Sequence, residues 1–189
     1  HWTFDARLSN IGTDGYIDRA SVDLNSYYLQ GGYFAENTSV KLIAFAGKEK
    51  TYHAWGYATK EQMEKFGRRY NPCGEMYTDA NGKKYYYDDQ TDNYLQKNYQ
   101  LLFNHTFSTA WNLNVALHYT KGDGYYEEYK DGRYLIEYGL KPFTIDGTEV
   151  SKSDLVRQKK MDNKFGGGVF SLNYTANRLS ASLGGGLNQ

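Results

Sequence analysis

The residue types that could carry chemistry in this chain are four histidines, one cysteine, a short acidic cluster and twenty tyrosines. His105 and His118 lack the short spacing of a metal-binding pair such as His-Glu-x-x-His, so we interpret them as ordinary strand residues. The acidic cluster at 88–92 lacks the pattern of a calcium loop. No nucleophile can be assembled with a base and an orienting acid. The sequence therefore predicts no enzyme, no metal site and no cofactor.

Aromatic residues in two long polar segments are the strongest candidates for ligand contact. Aromatic rings with a few polar partners suit recognition of a planar ligand, a sugar or a metal chelate. The alternative is that these rings pack on each other and make the segments rigid. The residues predicted to bind a ligand are Trp55, Tyr57, Tyr85, Tyr86, Tyr87 and Tyr134.

An alternation of apolar and polar residues marks the elements that would position these segments. From Trp111 to Tyr119, the residues Trp, Leu, Val, Leu and Tyr alternate with Asn, Asn, Ala and His. A period of two indicates a β-strand with one apolar and one polar face. The alternation predicts His118 on the polar face and His105 on the apolar face.

Seven strands can be traced in this way, and three short turns alternate with three long loops. In the third strand two registers compete, because either Leu42 or Ile43 can belong to the apolar face. The predicted strands are about 2–9, 21–35, 40–52, 94–107, 111–126, 163–174 and 179–189. The predicted long loops are about 10–20, 53–92 and 127–162.

Two local motifs fall inside the second long loop. Thr59 and Gln62 have the spacing of a capping box, which predicts a short helix over 59–66. Asn81-Gly82 is a typical two-residue hairpin turn and predicts a small hairpin around it.

The composition and the loop pattern narrow the class of protein. The formal net charge is zero, so we expect no nucleic-acid binding. No run of about 18 apolar residues is present, which excludes a transmembrane helix. Cys73 is the only cysteine, so no internal disulfide can form. Alternating strands with short turns at one end and long loops at the other predict an all-β fold. Its antiparallel strands would belong to a transmembrane β-barrel.

Several runs carry a resemblance to a known family. Ala6-Arg7-Leu8-Ser9 followed by Thr13-Asp14-Gly15-Tyr16-Ile17-Asp18-Arg19-Ala20 resembles the barrel of TonB-dependent outer-membrane receptors of the Bacteroidetes type. The runs Leu42–Tyr52 and Leu113–Glu127 are similar to later strands of such barrels. The resemblance covers most of the first five strands and is weaker after about Arg133.

This resemblance implies a barrel of about 22 strands, with a plug domain and a TonB box. Residues 1–189 would form about seven strands of that larger barrel in the cell outer membrane, with the plug domain outside the segment. The implied function is binding and active uptake of a siderophore, cobalamin, haem or a similar nutrient. Outer-membrane lipid, the receptor's own plug domain and TonB are the implied partners. A small eight-stranded outer-membrane barrel remains open as an alternative, because bacterial barrels have even strand numbers. A soluble β-sheet binding module also remains open, because the strands of soluble antiparallel sheets alternate in the same way.

Overall fold

The computed structural model describes residues 1–189 and confirms an all-β, antiparallel fold. The long strands are β1 (Trp2–Thr13), β2 (Val22–Phe34), β3 (Thr38–Tyr52), β6 (Thr91–Thr106), β7 (Trp111–Tyr134), β10 (Lys152–Ala176) and β11 (Leu179–Asn188). Two small hairpins pair β4 (Glu75–Thr78) with β5 (Lys84–Tyr86) and β8 (Phe143–Ile145) with β9 (Thr148–Val150). The long strands form one sheet in the order β1-β2-β3-β6-β7-β10-β11. The sheet is open, since β1 and β11 each pair on one side only.

The pairing register brings the apolar positions of all seven long strands onto one face, which we call the apolar face. One row across this face consists of Phe4, Gly31, Leu42, Leu101, Leu117, Gly168 and Leu187. In β3, Leu42 lies on the apolar face and Ile43 on the opposite, polar face, which settles the register that the sequence left open. His118 lies on the polar face and His105 on the apolar face, as predicted.

Away from the loops at one end, neither face of the sheet is covered by another element of the chain. Only 13 of the 189 residues are buried, and most of them lie beside the loops at one end of the sheet. Leu42 is 60% exposed and Leu183 is 66% exposed, although both stand in the middle of strands. Soluble monomers rarely expose a contiguous apolar surface of this kind, and such surfaces mark sites of interaction with another protein, a ligand or a membrane.

Two of the three long loops differ in extent from the sequence prediction. The first loop comprises 14–21, because β1 continues to Thr13. The third comprises only 135–151, because 127–134 and 152–162 pair with each other as the loop-side ends of β7 and β10. Glu128 forms an ion pair with Arg157 across these strands. Both faces are polar there, so the alternation that marks a strand disappears although the backbone ladder continues.

The second loop, 53–90, contains the two motifs that were predicted within it. Helix α1 spans Lys60–Phe66, and the Thr59 capping box with Gln62 is complete. The turn at Asn81-Gly82 joins β4 to β5, with Gly82 at a φ of 81°. A 3-10 helix, Leu135–Tyr138, opens the third loop. Neither helix is long and apolar enough to cross a membrane.

Candidate ligand-binding rim

The three long loops lie at the same end of the sheet, and we name them L1 (14–21), L2 (53–90) and L3 (135–151). L1 is fixed to L2 by Arg19, which adopts a left-handed backbone with a φ of 65°. Its guanidinium lies 3.4 Å from the centroid of the Tyr86 ring. The same group donates hydrogen bonds to the backbone carbonyls of Asn71 and Cys73. The Tyr86 ring therefore already makes a cation–π interaction with a residue of its own chain. In this interaction the ring quadrupole attracts the positive charge.

Asn71 is the buried junction between L1, L2 and the end of β3. Its amide donates to the carbonyl oxygens of Asp18 at 3.0 Å and His53 at 2.9 Å. Its Oδ1 accepts from the backbone N–H of Cys73 at 3.0 Å. Both polar atoms of its side chain are thus paired inside the protein, as a buried amide requires. The three loops L1, L2 and L3, which together we call the rim, are consequently an ordered structure with its own small core.

Tyr85 and Tyr87 also have partners within the chain. The Tyr85 ring stacks on Tyr77 with centroids 4.7 Å apart. The Tyr87 hydroxyl donates to the Glu127 carboxylate, and this hydrogen bond raises the pKa of Tyr87 to about 12. These contacts match the alternative in which loop tyrosines make the loop rigid.

The other three predicted residues present much more of their surface to solvent. Trp55 is 52% exposed, Tyr57 is 93% exposed and Tyr134 is 48% exposed. The Lys152 ammonium lies 4.1 Å from the centroid of the Tyr134 ring. Among the predicted residues, Trp55, Tyr57 and Tyr134 therefore have the surface that a ligand could cover.

Trp55 belongs to a cluster on the polar side of the sheet that we call the aromatic shelf, formed by His53, Trp55, Tyr126 and Lys159. The His53 and Trp55 rings stack with centroids 3.8 Å apart, and Tyr126 meets Trp55 edge-on at 6.1 Å. Lys159 pairs with Tyr126 across β7 and β10, and its ammonium lies 5.2 Å from the Tyr126 ring. The shelf offers a flat aromatic surface next to a positive charge.

Sequence reasoning did not assign His53, Tyr126 or Lys159 to the ligand site. If the alternation of β7 is continued beyond Tyr119, Tyr126 falls on the polar face. The sequence therefore did contain a signal that could have assigned Tyr126 to the ligand site. Lys159 fell inside the segment taken for a loop, and its neighbours became visible only from the strand register. His53 follows β3 directly and carried no pattern of its own.

His53 is fully buried, and this decides its charge. Its Nε2 lies 3.5 Å from the Asp92 carboxylate, but neither ring nitrogen makes a hydrogen bond. Burial lowers the pKa of His53 below its ordinary value of 6.5, against the opposing effect of the negative charges on Asp92 and Glu128. Desolvation disfavours the charged imidazole, so His53 is neutral at neutral pH. The neutral His53 imidazole therefore stacks on the Trp55 ring as an aromatic surface and does not act as a cation.

No protein-family model and no curated protein matches this chain. The fold and the rim define an antiparallel sheet with one continuous apolar face and a set of ordered loops at one end.

Proposed function

We propose that residues 1–189 form part of the transmembrane β-barrel of an outer-membrane receptor of the TonB-dependent type. The observation that carries the proposal is the uncovered apolar face that continues across all seven long strands. In lipid every backbone polar group needs a partner inside the protein, and a β-ladder provides these partners between strands. Lipid on the apolar face and a wet barrel interior on the polar face would give both faces a matching environment.

The height of the apolar face supports a membrane crossing. At about 3.4 Å per residue, the run from Trp111 to Tyr119 is roughly 27 Å long. With a strand tilt of about 40° it crosses roughly 20 Å, comparable to the apolar band about 25 Å tall of outer-membrane barrels. Trp111 contacts Tyr174 at the short-turn end, with ring centroids 4.8 Å apart. Tyr99 pairs with Tyr119 at the loop end. These residues stand where aromatic girdles occur.

The two free edges support membership of a larger barrel. Unpaired strand edges cannot face lipid, because their N–H and C=O groups would have no partner. Further strands alongside β1 and β11 would satisfy them. The resemblance of the run around Thr13–Ala20 to TonB-dependent receptors names the type of barrel that we propose.

The rim supplies the ligand-binding part of the proposal. The aromatic shelf lies on the side of the sheet that would face the barrel interior, next to L2. A flat or ring-bearing nutrient, such as a siderophore, cobalamin or haem, would stack on Trp55 with an anionic group near Lys159. The ligand would then pass inward through the barrel, driven by a plug domain and TonB outside these residues. No step of this function requires a catalytic residue.

A pair of neighbouring arginine substitutions tests the membrane part of the proposal. Val115 lies on the apolar face, and Asn114 lies on the polar face, where it hydrogen-bonds to Asn104. Val115→Arg should cost about 2–4 kcal/mol of folding free energy near the bilayer midplane, whereas Asn114→Arg should cost much less. Urea unfolding in lipid bilayers measures both. Equal costs at the two sites would contradict a membrane barrel.

A further inference from the structure

Three lysines stand side by side at the loop-side border of the apolar face. Lys97 pairs with Lys121, and Lys121 pairs with Lys164, in the register of β6, β7 and β10. They occupy the next apolar-face positions beyond Tyr99 and Tyr119, toward the loops. We call these three residues the lysine row. On β7 and β10 it marks the level at which apolar side chains give way to charge.

No carboxylate of the chain lies within ion-pair distance of the lysine row. None of the three ammonium groups takes part in an ion pair. Asp123 and Asp162 lie one row further toward the loops, where they stand opposite each other. Like charges directly opposite on neighbouring strands destabilise a sheet. The lysine row, in which positive charges stand opposite each other, is stabilised when an anion from outside the protein lies against it.

We infer that the lysine row binds the phosphate groups of lipid headgroups in the leaflet on the loop side. This inference rests on the proposed function, because only an apolar face embedded in lipid brings the row to headgroup depth. There the Lys97, Lys121 and Lys164 stems would lie along acyl chains while their ammonium groups reach the polar layer. Phosphate is the anion at that depth, and basic side chains attract it. Tyr99 and Tyr119 would lie beneath the headgroups, where tyrosine is enriched.

The test compares two triple variants of the full-length protein purified from its membrane. The first is Lys97→Gln/Lys121→Gln/Lys164→Gln, and the second replaces the exposed loop residues Lys60, Lys65 and Lys141 by Gln, so that both lose the same charge. Each is reconstituted into phosphatidylcholine nanodiscs with and without phosphatidic acid, and bound phosphatidic acid is measured by native mass spectrometry. Affinity should fall roughly fivefold for each lysine neutralised in the row, and added salt should reduce it further. The loop variant should match the unmodified protein.

Two results would overturn the inference. The first is an equal affinity of both variants for phosphatidic acid. The second is displacement of the lipid by inorganic phosphate at similar concentration, which would assign the row to free anions. Insertion into the nanodisc is scored separately. A protein that does not insert contradicts the proposed function, whereas insertion with equal lipid affinities contradicts only the lipid-phosphate site.

Discussion

The Tyr94 side chain of β6 lies across Gly122 of β7, and only glycine leaves room for it. A Cβ built on Gly122 would stand 1.8 Å from the Tyr94 hydroxyl oxygen. One pair further along, a Cβ on Gly124 would stand 2.1 Å from the backbone oxygen of Asn93. The first obstacle is the end of a side chain that can move, whereas the second belongs to the ladder itself. The two glycines thus form a groove on the polar face in which the Tyr94 ring lies.

Gly124→Ala should therefore destabilise the sheet by about 1–3 kcal/mol, as overpacking of a tight site does. Gly122→Ala should cost less, because the Tyr94 ring can swing away. Gly47→Ala is the matched control, since Gly47 lies on the polar face of β3 with nothing within 4 Å of its Cβ position. Urea unfolding of the reconstituted variants measures the differences. A cost at Gly47 equal to that at Gly124 would show that crowding is not the cause.

Arg19 should control the order of L1. Arg19→Lys keeps the positive charge, but a compact ammonium replaces the planar group that lies on Tyr86 and reaches two carbonyls at once. We expect the contact between L1 and L2 to lose about 1.5–3 kcal/mol, the usual range for hydrogen bonds to a charged group. Hydrogen exchange of the amides in 14–21 and 69–73 measures the loss. The exposed Arg68 provides the control substitution, Arg68→Lys. Unchanged protection in Arg19→Lys would refute the role of the guanidinium.

The helix and the strand centres of this fold follow from sequence, because short-range rules determine them. Thr59 and Gln62 predicted the start of α1, and the alternation around Val115 predicted the core of β7. The loop-side ends of β7 and β10 cannot be predicted from the sequence, because the pairing of Glu128 with Arg157 is recognisable only once the strand register is known. The same holds for the rim. Arg19 reaches Tyr86 through the pairing of strands far apart in the chain, and no local pattern reports that contact.

Trp55 should contribute more to ligand affinity than the loop tyrosines that already contact other residues of the chain. Trp55→Ala removes the exposed ring of the aromatic shelf, and we expect binding of haem or cyanocobalamin to weaken by about tenfold or more. Tyr85→Ala removes a ring that stacks on Tyr77, and its effect should be smaller. Absorbance titration of the reconstituted receptor with each probe gives the dissociation constants. A larger loss from Tyr85→Ala than from Trp55→Ala would move the ligand site away from the shelf.

The rim should become less stable in mild acid because of His53. Its pKa in the folded protein lies below the ordinary 6.5, so the unfolded chain binds the proton more readily between these two values. The stability contributed by neutral His53 is therefore complete above pH 6.5 and is lost as the pH falls through that window.

Hydrogen exchange of L2 amides at a series of pH values measures this effect. His53→Gln should show a weaker dependence on pH than the unmodified protein, because the titrating group is gone. Identical profiles in the two proteins would show that another group is responsible.

The most direct test of the central claim compares two neighbouring residues of β7. Leu117 lies on the apolar face and His118 on the polar face. In a Cys73→Ser background, a nitroxide label is attached at Leu117→Cys or at His118→Cys in the reconstituted protein. Its collisions with oxygen and with a water-soluble nickel complex are then compared by electron paramagnetic resonance. We expect the label at position 117 to collide mainly with oxygen, which concentrates in lipid, and the label at 118 mainly with the nickel complex. Free access of the nickel complex to both labels would contradict a membrane-embedded apolar face.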